Sequence, residues 1–407
     1  MSVTRQSPRK RQGAILGLVA ILLLILSITS LTALQLGRDS RLREIRHTHD
    51  ITARYAADAG ISRTLYLKNR ALANGTWNTA SFPSFNDEPL IGTDAVFTAN
   101  VQGSLTDGYT ITSVGRSRSA TRGVRVELEL TNPFSMDFAV LTRGSIALDG
   151  STVIQGYNSS DLSQTNLHTN IGSLSDSASS IDIKNNATVT GDVYVGMNAD
   201  PDEAVQLKAR SDIGGELLNH PPPLPELAMP APPSEYTKIY QGSLTGENFT
   251  LNPADSGIYS EITISNNGMV TIEGHCVLVV TGDIRLHNSS EIYITENSSL
   301  TIYLEGDLDG DNSAGVRNGT NVPANFKLYG TGTNQQINLK NSMDFHGVIY
   351  APTADMTIFN GADVYGALVV NSFDLKNSGH IYYDVALRQA DISDPGAMFR
   401  IVRWEEF

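Results

Sequence analysis

Three acids alternate through the stretch DLDGDN, Asp307, Asp309 and Asp311, a spacing that suits a hard divalent cation such as Ca²⁺, which gathers several oxygens. An EF-hand loop beginning at Asp307 needs Gly at its sixth position and Glu at its twelfth, whereas this chain has Asn312 and Asn318. The three acids are therefore weak Ca²⁺ candidates, and a solvated turn is the expected reading, with no metal. His346, beside Asp344, and His380, with Asp355 and Asp363 near in sequence, are residue types that could bind or cut an acidic polysaccharide by general acid–base chemistry. They fall at different positions of the repeat described below, so no single row of catalytic groups emerges. No phosphate loop, nucleophile elbow or HExxH zinc motif is present. The one cysteine, Cys276, excludes an internal disulfide and a Cys-based zinc site, and follows His275 in a strand-like stretch, where a buried small apolar residue is expected. The reading is non-enzymatic, with no catalytic residue and no cofactor.

The elements that would carry these residues divide sharply by charge. Residues 1–37 hold Arg5, Arg9, Lys10 and Arg11 and no acid, and residues 38–70 hold eight bases against four acids. That leaves 17 bases against 39 acids for residues 71–407, so a basic stem precedes a strongly acidic body. An acidic body disfavours nucleic acid, which rewards clustered Lys and Arg. Only 18% of the chain is charged, with 35 Gly, which argues for packed β structure with many turns and against a disordered chain.

From Ala14 to Leu36 run 23 residues without a charge, enough for a helix across a hydrocarbon core of about 30 Å. This is longer than the apolar region of a removable secretory signal, about 7–15 residues. Residues 37–72 continue at helical spacing without Pro, with Ala53, Ala56, Ala57, Ala59 and Gly60 allowing another element to approach closely. Between Asp94 and Thr131 the apolar period becomes two, predicting three short antiparallel strands.

After Pro133 the chain repeats itself. The module is apolar-x-apolar-x-Asn, then a small or polar stretch, then another strand. Its corners fall at Asn185, Asn266, Asn288, Asn341, Asn360 and Asn377, and SIALDG at 145–150 is a variant with Asp-Gly at the bend. Repeats near 20 residues built from short strands predict a β-solenoid. Alternating Ile, Leu and Val would face its interior, and Lys, Asp, Thr and Arg would face solvent. Asn tolerates the left-handed backbone of a corner, and its amide can bond to the Asn one coil above. The interval from 288 to 341 reads as about three turns, with 307–325 as a polar loop on the side of the coil. Residues 219–236 hold seven prolines and should form an extended strap, an excursion within one domain.

Two resemblances follow from these segments. RKRQG at 9–13, the long apolar helix and ADAG at 57–60 resemble the N-terminal region of PilX-type minor pilins. That resemblance implies cleavage by a prepilin peptidase between Gly13 and Ala14 and packing of the helix into a pilus core. The fifth mature position would be Leu18 where bulk pilins carry Glu, which points to a minor or initiating role. GSIALDGSTVIQGYNSSD (144–161), KLYGTG (327–332), FHGVIYAPTADMTIFNGADVYGALVV (345–370) and IYYDVAL (381–387) resemble an uncharacterised bacterial β-solenoid domain found behind such N-termini. As a solenoid only, the body is also similar to bactofilin-type polymer-forming coils.

The expected architecture is mainly β: a leader at 1–13, a transmembrane helix at 14–36, an amphipathic stalk at 37–72, and a pilin-like antiparallel region at 73–131. A right-handed β-solenoid follows at 132–390, with its Pro-rich excursion at 219–236 and a tail at 391–407. The expected function is a structural pilin-like surface protein, a minor or initiating component of a type IV pilus or related assembly. Its partners would be the membrane, other pilin-like subunits, the pilus assembly machinery, and a surface glycan or protein ligand. The expected place is the bacterial inner membrane, single-pass, with the body in the periplasm or at the cell surface. Two alternatives are a polysaccharide-binding or polysaccharide-cleaving β-helix on an anchor, and a membrane-anchored polymer-forming scaffold.

Overall fold

The computed structural model describes residues 12–73, 82–105, 107–131, 136–222, 224, 227–312, 314–340, 345–388 and 397–407. The protein is mainly β, with one long N-terminal helix and a body of many strands. It divides into two compact units, residues 1–130 with 398–407, and residues 131–397.

In the first unit, α1 (Gln12–Ala73) is a single helix, and no proline interrupts it. Four strands follow, β1 (Phe85–Pro89), β2 (Val96–Ser104), β3 (Gly108–Ser117) and β4 (Ala120–Thr131). The C-terminal strand Met398–Glu406 completes a five-stranded sheet beside β4, so the order is β1, β2, β3, β4, C-terminal strand. The three strands expected between Asp94 and Thr131 are β2, β3 and β4, while the expectation of a separate tail is corrected: the last ten residues alternate weakly, yet Phe407 exchanges both backbone hydrogen bonds with Gly123 at 2.9 Å. On α1, Ala53, Ala56, Ala57, Gly60 and Ile61 are buried, with Ile61 in one cluster with Tyr109, Ile111, Val124, Val126 and Phe399. The small residues permit a close crossing at β3. A Cβ on Gly115 would collide with the Ala53 carbonyl, and one on Gly60 with the Ser113 hydroxyl.

The second unit is a parallel stack with three sides. On side one, Leu278 pairs with Ile302, Ile302 with Leu328, Leu328 with Ile349 and Ile349 with Leu368. Leu368 then pairs with Val140, Val140 with Ile171, Ile171 with Val193 and Val193 with Leu217. Side two repeats the order through Leu244, Ile262, Ile284, Leu308, Ile337, Met356, Phe373, Ile146, Ile181 and Val205. These interior positions form one continuous apolar core.

The order of the rungs differs from the order of the chain. The chain enters mid-stack at residue 140 and winds to one end at Asn219. It then crosses to the opposite end at Tyr240 and winds back until 364–384 lies against 140–157. The Pro-rich segment is the crossover. Ten rung steps at about 4.8 Å need about 48 Å, and the 20 residues 220–239 supply about 62 Å as polyproline at about 3.1 Å each.

The strap lies on side one. Arg143 Nη2 donates to the Leu227 carbonyl at 2.6 Å and Tyr350 Oη to the Ala228 carbonyl at 2.9 Å. The outward residues of side one, including Tyr303, Tyr329, Tyr350, Val369 and Leu141, are consequently buried. This corrects the expected alternation, which holds only where solvent wets the outer face. A strand covered on both faces reads as a continuous apolar run, as in LVV at 278–280 and ALVV at 367–370.

Candidate functional site

The stem changes character along its length. Every large apolar residue from Leu16 to Leu36 is 49–77% exposed, and an 18-residue window within the helix reaches a mean hydropathy of 2.5. By length and composition this part can cross a membrane. Gly13 and Ala14 lie within α1, while residues 1–11 of the leader lie outside the described residues. From Ala53 onward the same helix is half covered by the sheet. At its far end Lys68 is buried, its Nζ 3.4 Å from the ring centre of Tyr109, 4.5 Å from Phe399 and 4.6 Å from Phe82. Burial pushes this ammonium down to about 7, while the three ring faces favour the charged form.

The asparagine corners occupy one vertical file between sides two and three. Asn185, Asn266, Asn288, Asn360 and Asn377 have φ of 59°, 58°, 51°, 58° and 64°, all left-handed, and Gly150 takes the same corner at 88°. Asn341 lies outside the described residues. The amide of Asn377 donates to the Asn360 side-chain oxygen at 3.1 Å, and that of Asn312 to Asn288 at 3.4 Å. Asn312, at φ 49°, is a corner the sequence reading passed over. Accordingly 288 to 341 is two turns and not three, and 307–325 is not a side loop. It contains the strands Leu308–Gly310 and Gly315–Asn318 of a regular rung. The signal was present: the last side-two residue and the first side-three residue stand five apart at Ile264/Met269, Leu286/Glu291 and Gly310/Gly315.

The acids of that rung go to separate partners. Asp307 accepts from the Gln336 amide at 2.8 Å, repeating the rung below, where Asp283 accepts from the Asp307 amide at 2.9 Å. The Gly-Asp pairs at 191–192, 282–283 and 306–307 are thus corner pieces, and Asp192 likewise accepts from Glu216 at 2.9 Å. Asp309 points outward from side two and pairs with Lys340 at 2.8 Å. Asp311 meets His287 at 2.9 Å and accepts from the Asn288 amide at 3.2 Å. Burial opposes its ionisation, but these bonds hold the carboxyl below its usual range. No group of three or more His, Cys, Asp and Glu able to hold a metal occurs among the described residues.

The histidine candidates are likewise dispersed. His380 Nδ1 lies 3.1 Å from Asp363, Asp355 accepts from Asn371 at 2.8 Å and from Ser372, and Asp344 lies outside the described residues. His346 belongs to an outward row on side three that sequence reading missed. Its ring stacks on Tyr365 at 4.2 Å, and Tyr365 stacks on Tyr382 at 4.6 Å. Register alone makes this row: His346 pairs with Tyr365 and Tyr365 with Tyr382. Cys276 is buried, and burial pushes its thiol up to about 11, so it is a poor nucleophile.

Residues 234–390 match the family described as a domain of unknown function (DUF7305). No curated protein matches the chain. Among solved structures, the competence-associated pilin ComZ from Thermus thermophilus is 11% identical, covering 88% of this chain and 98% of its own, with a TM-score of 0.26. The ice-binding protein of Antarctomyces psychrotrophicus is 14% identical over 61% of this chain and 95% of its own, at 0.28. The ice-binding protein of Shewanella frigidimarina is 15% identical over 62% of this chain and 95% of its own, at 0.26. These TM-scores are too low to establish a common fold, so the chain is placed by its own geometry and by the domain match over 234–390.

Proposed function

We propose that this chain is a structural, non-enzymatic, pilin-like surface protein of the inner membrane, a minor or initiating component of a type IV pilus or related assembly. Its acidic body is a right-handed β-solenoid carried in the periplasm or at the cell surface, where it meets other subunits, a glycan or a protein. The observation that carries this reading is the two-part helix. One unbroken α1 is apolar and bare from Leu16 to Leu36, then clasped from Ala53 to Lys68 by an antiparallel sheet through small residues. That arrangement lets a folded head be drawn out of a bilayer by its stem without unfolding. The Gly13–Ala14 bond is the cleavage point this role requires, and intact-mass measurement of the chain from cells with and without an active prepilin peptidase tests it. A chain beginning at Ala14 only in the peptidase-bearing cells supports the role; a chain retaining its leader in both refutes processing.

A further inference from the structure

The two ends of the body depart from the pattern of the rungs between them. At three of the corners between sides two and three, the second left-handed residue of one rung donates its amide to the carbonyl of the first left-handed residue of the next. Asn267 donates to Asn288 at 3.0 Å, Ser289 to Asn312 at 3.2 Å and Asn186 to Ala209 at 3.1 Å. A rung left exposed would therefore offer a free donor to any further rung of the same kind, including one from a second copy of this chain. Unpaired strand edges of this sort are templates for association, and natural sheets blunt them with charge, bulges or changed register.

Both ends are altered there. At one end the corner residues are Ala209 and Arg210, at φ 52° and 64°, a conformation that neither side chain favours and that the other rungs assign to Asn, Gly or Ser. Lys208 precedes them, and all three are exposed. The donor amide of this end thus belongs to an exposed cationic residue on a strained backbone. At the other end the corner is cut short. Ile264 and Met269 enclose four residues, but their partners Gly246 and Asn248 enclose only Glu247. The Glu247 carbonyl is pulled beneath Gly268, where a Cβ would collide with it. Two more register shifts, at Tyr240/Gly242 and Gly242/Leu244, distort the same edge strand.

We infer that these corners are stops that keep the open ends of the stack from adding a second copy of this chain head to tail. The acceptor that Arg210 would need from an incoming end is the carbonyl of the first corner residue, and the shortened Glu247 corner withholds it. The inference holds whether or not the stem enters a pilus.

The test uses the full chain in detergent micelles, with wild-type sedimentation velocity as the baseline for any association through the stem. Repair of both ends combines Ala209→Asn and Arg210→Asn with replacement of Glu247 by Ser-Asn-Asn-Gly, which restores the four-residue corner. The doubly repaired chain should add a concentration-dependent ladder of larger species, and either single repair should not. A doubly repaired chain with wild-type far-UV circular dichroism that adds no larger species overturns the inference. Should that chain fail to fold, charge reversal at the exposed residues decides: Arg210→Glu should leave the wild-type distribution unchanged. A wild type that forms oligomers which Arg210→Glu dissolves would show the opposite charges to be glue, which also overturns it.

Discussion

Replacement of Asn360 separates the two contributions that a corner asparagine makes. Its backbone sits at φ 58°, and its side-chain oxygen accepts the amide of Asn377 at 3.1 Å. Asn360→Ala places a Cβ-bearing residue without local hydrogen bonding in the left-handed region, about 1 kcal/mol worse than Asn, and deletes an exposed hydrogen bond worth about 0.5–1.5 kcal/mol. The expected loss is about 1.5–2.5 kcal/mol. Asn360→Gly deletes the same bond and removes the backbone penalty, but adds the extra freedom of Gly in the unfolded chain, about 0.5–1 kcal/mol. Its loss should be about 1–2.5 kcal/mol, up to about 0.5 kcal/mol smaller than that of the Ala variant. Urea unfolding of the full chain in detergent, followed by far-UV circular dichroism, measures both. A loss for Gly clearly larger than that for Ala would refute the claim that the corner demands a left-handed residue. No loss for either would refute the ladder as a source of stability.

Four further outcomes follow from the same geometry. Phe373→Ala removes a fully buried ring from the rung that meets 140–157, and should cost about 3–5 kcal/mol in the same urea assay. Tyr350→Phe deletes the bond to the Ala228 carbonyl, and should cost about 1–2 kcal/mol and speed proteolysis within 220–239, read by mass spectrometry of the fragments. Gly115→Val drives a side chain into the Ala53 carbonyl and should cost about 3 kcal/mol or more, seen as protease cleavage of α1 near residue 55. For Lys68, the folded value near 7 lies below the ordinary 10.5, so the folded state binds fewer protons between those values and stability rises with pH across that window, being least below 7. Lys68→Met should flatten that rise, as read by thermal unfolding at pH 6, 8 and 10.

How much of this was legible in the sequence depended on how local each cause was. The membrane-length apolar run and the Asn corners announce themselves because each follows from a single short segment. The small residues Ala53, Ala56 and Gly60 predicted a close approach, and Gly115 on β3 is where it occurs. Non-local causes stayed hidden. Nothing in SIALDG at 145–150 shows that Ile146 pairs with Phe373, because the crossover at 219–239 inverts the order of the halves. Side one broke the expected alternation because a strap distant in sequence covers it. The rung at 308–318 reads as a loop in the sequence because Asp and Asn dominate it, although Leu308 and Val316 keep the interior positions. Among the described residues the acids and histidines meet at no common site, since Asp307, Asp309 and Asp311 each serve a different neighbour.

The central claim is that α1 delivers this body into a pilus-type assembly. Its most direct measurement is the distribution of the chain between membranes and fibres sheared from cells carrying the assembly machinery, read by quantitative mass spectrometry of both fractions. The account predicts a minor but reproducible share in the fibres, beginning at Ala14, that disappears when the prepilin peptidase is inactivated. Recovery solely from membranes, at the same level with and without the peptidase, would contradict it.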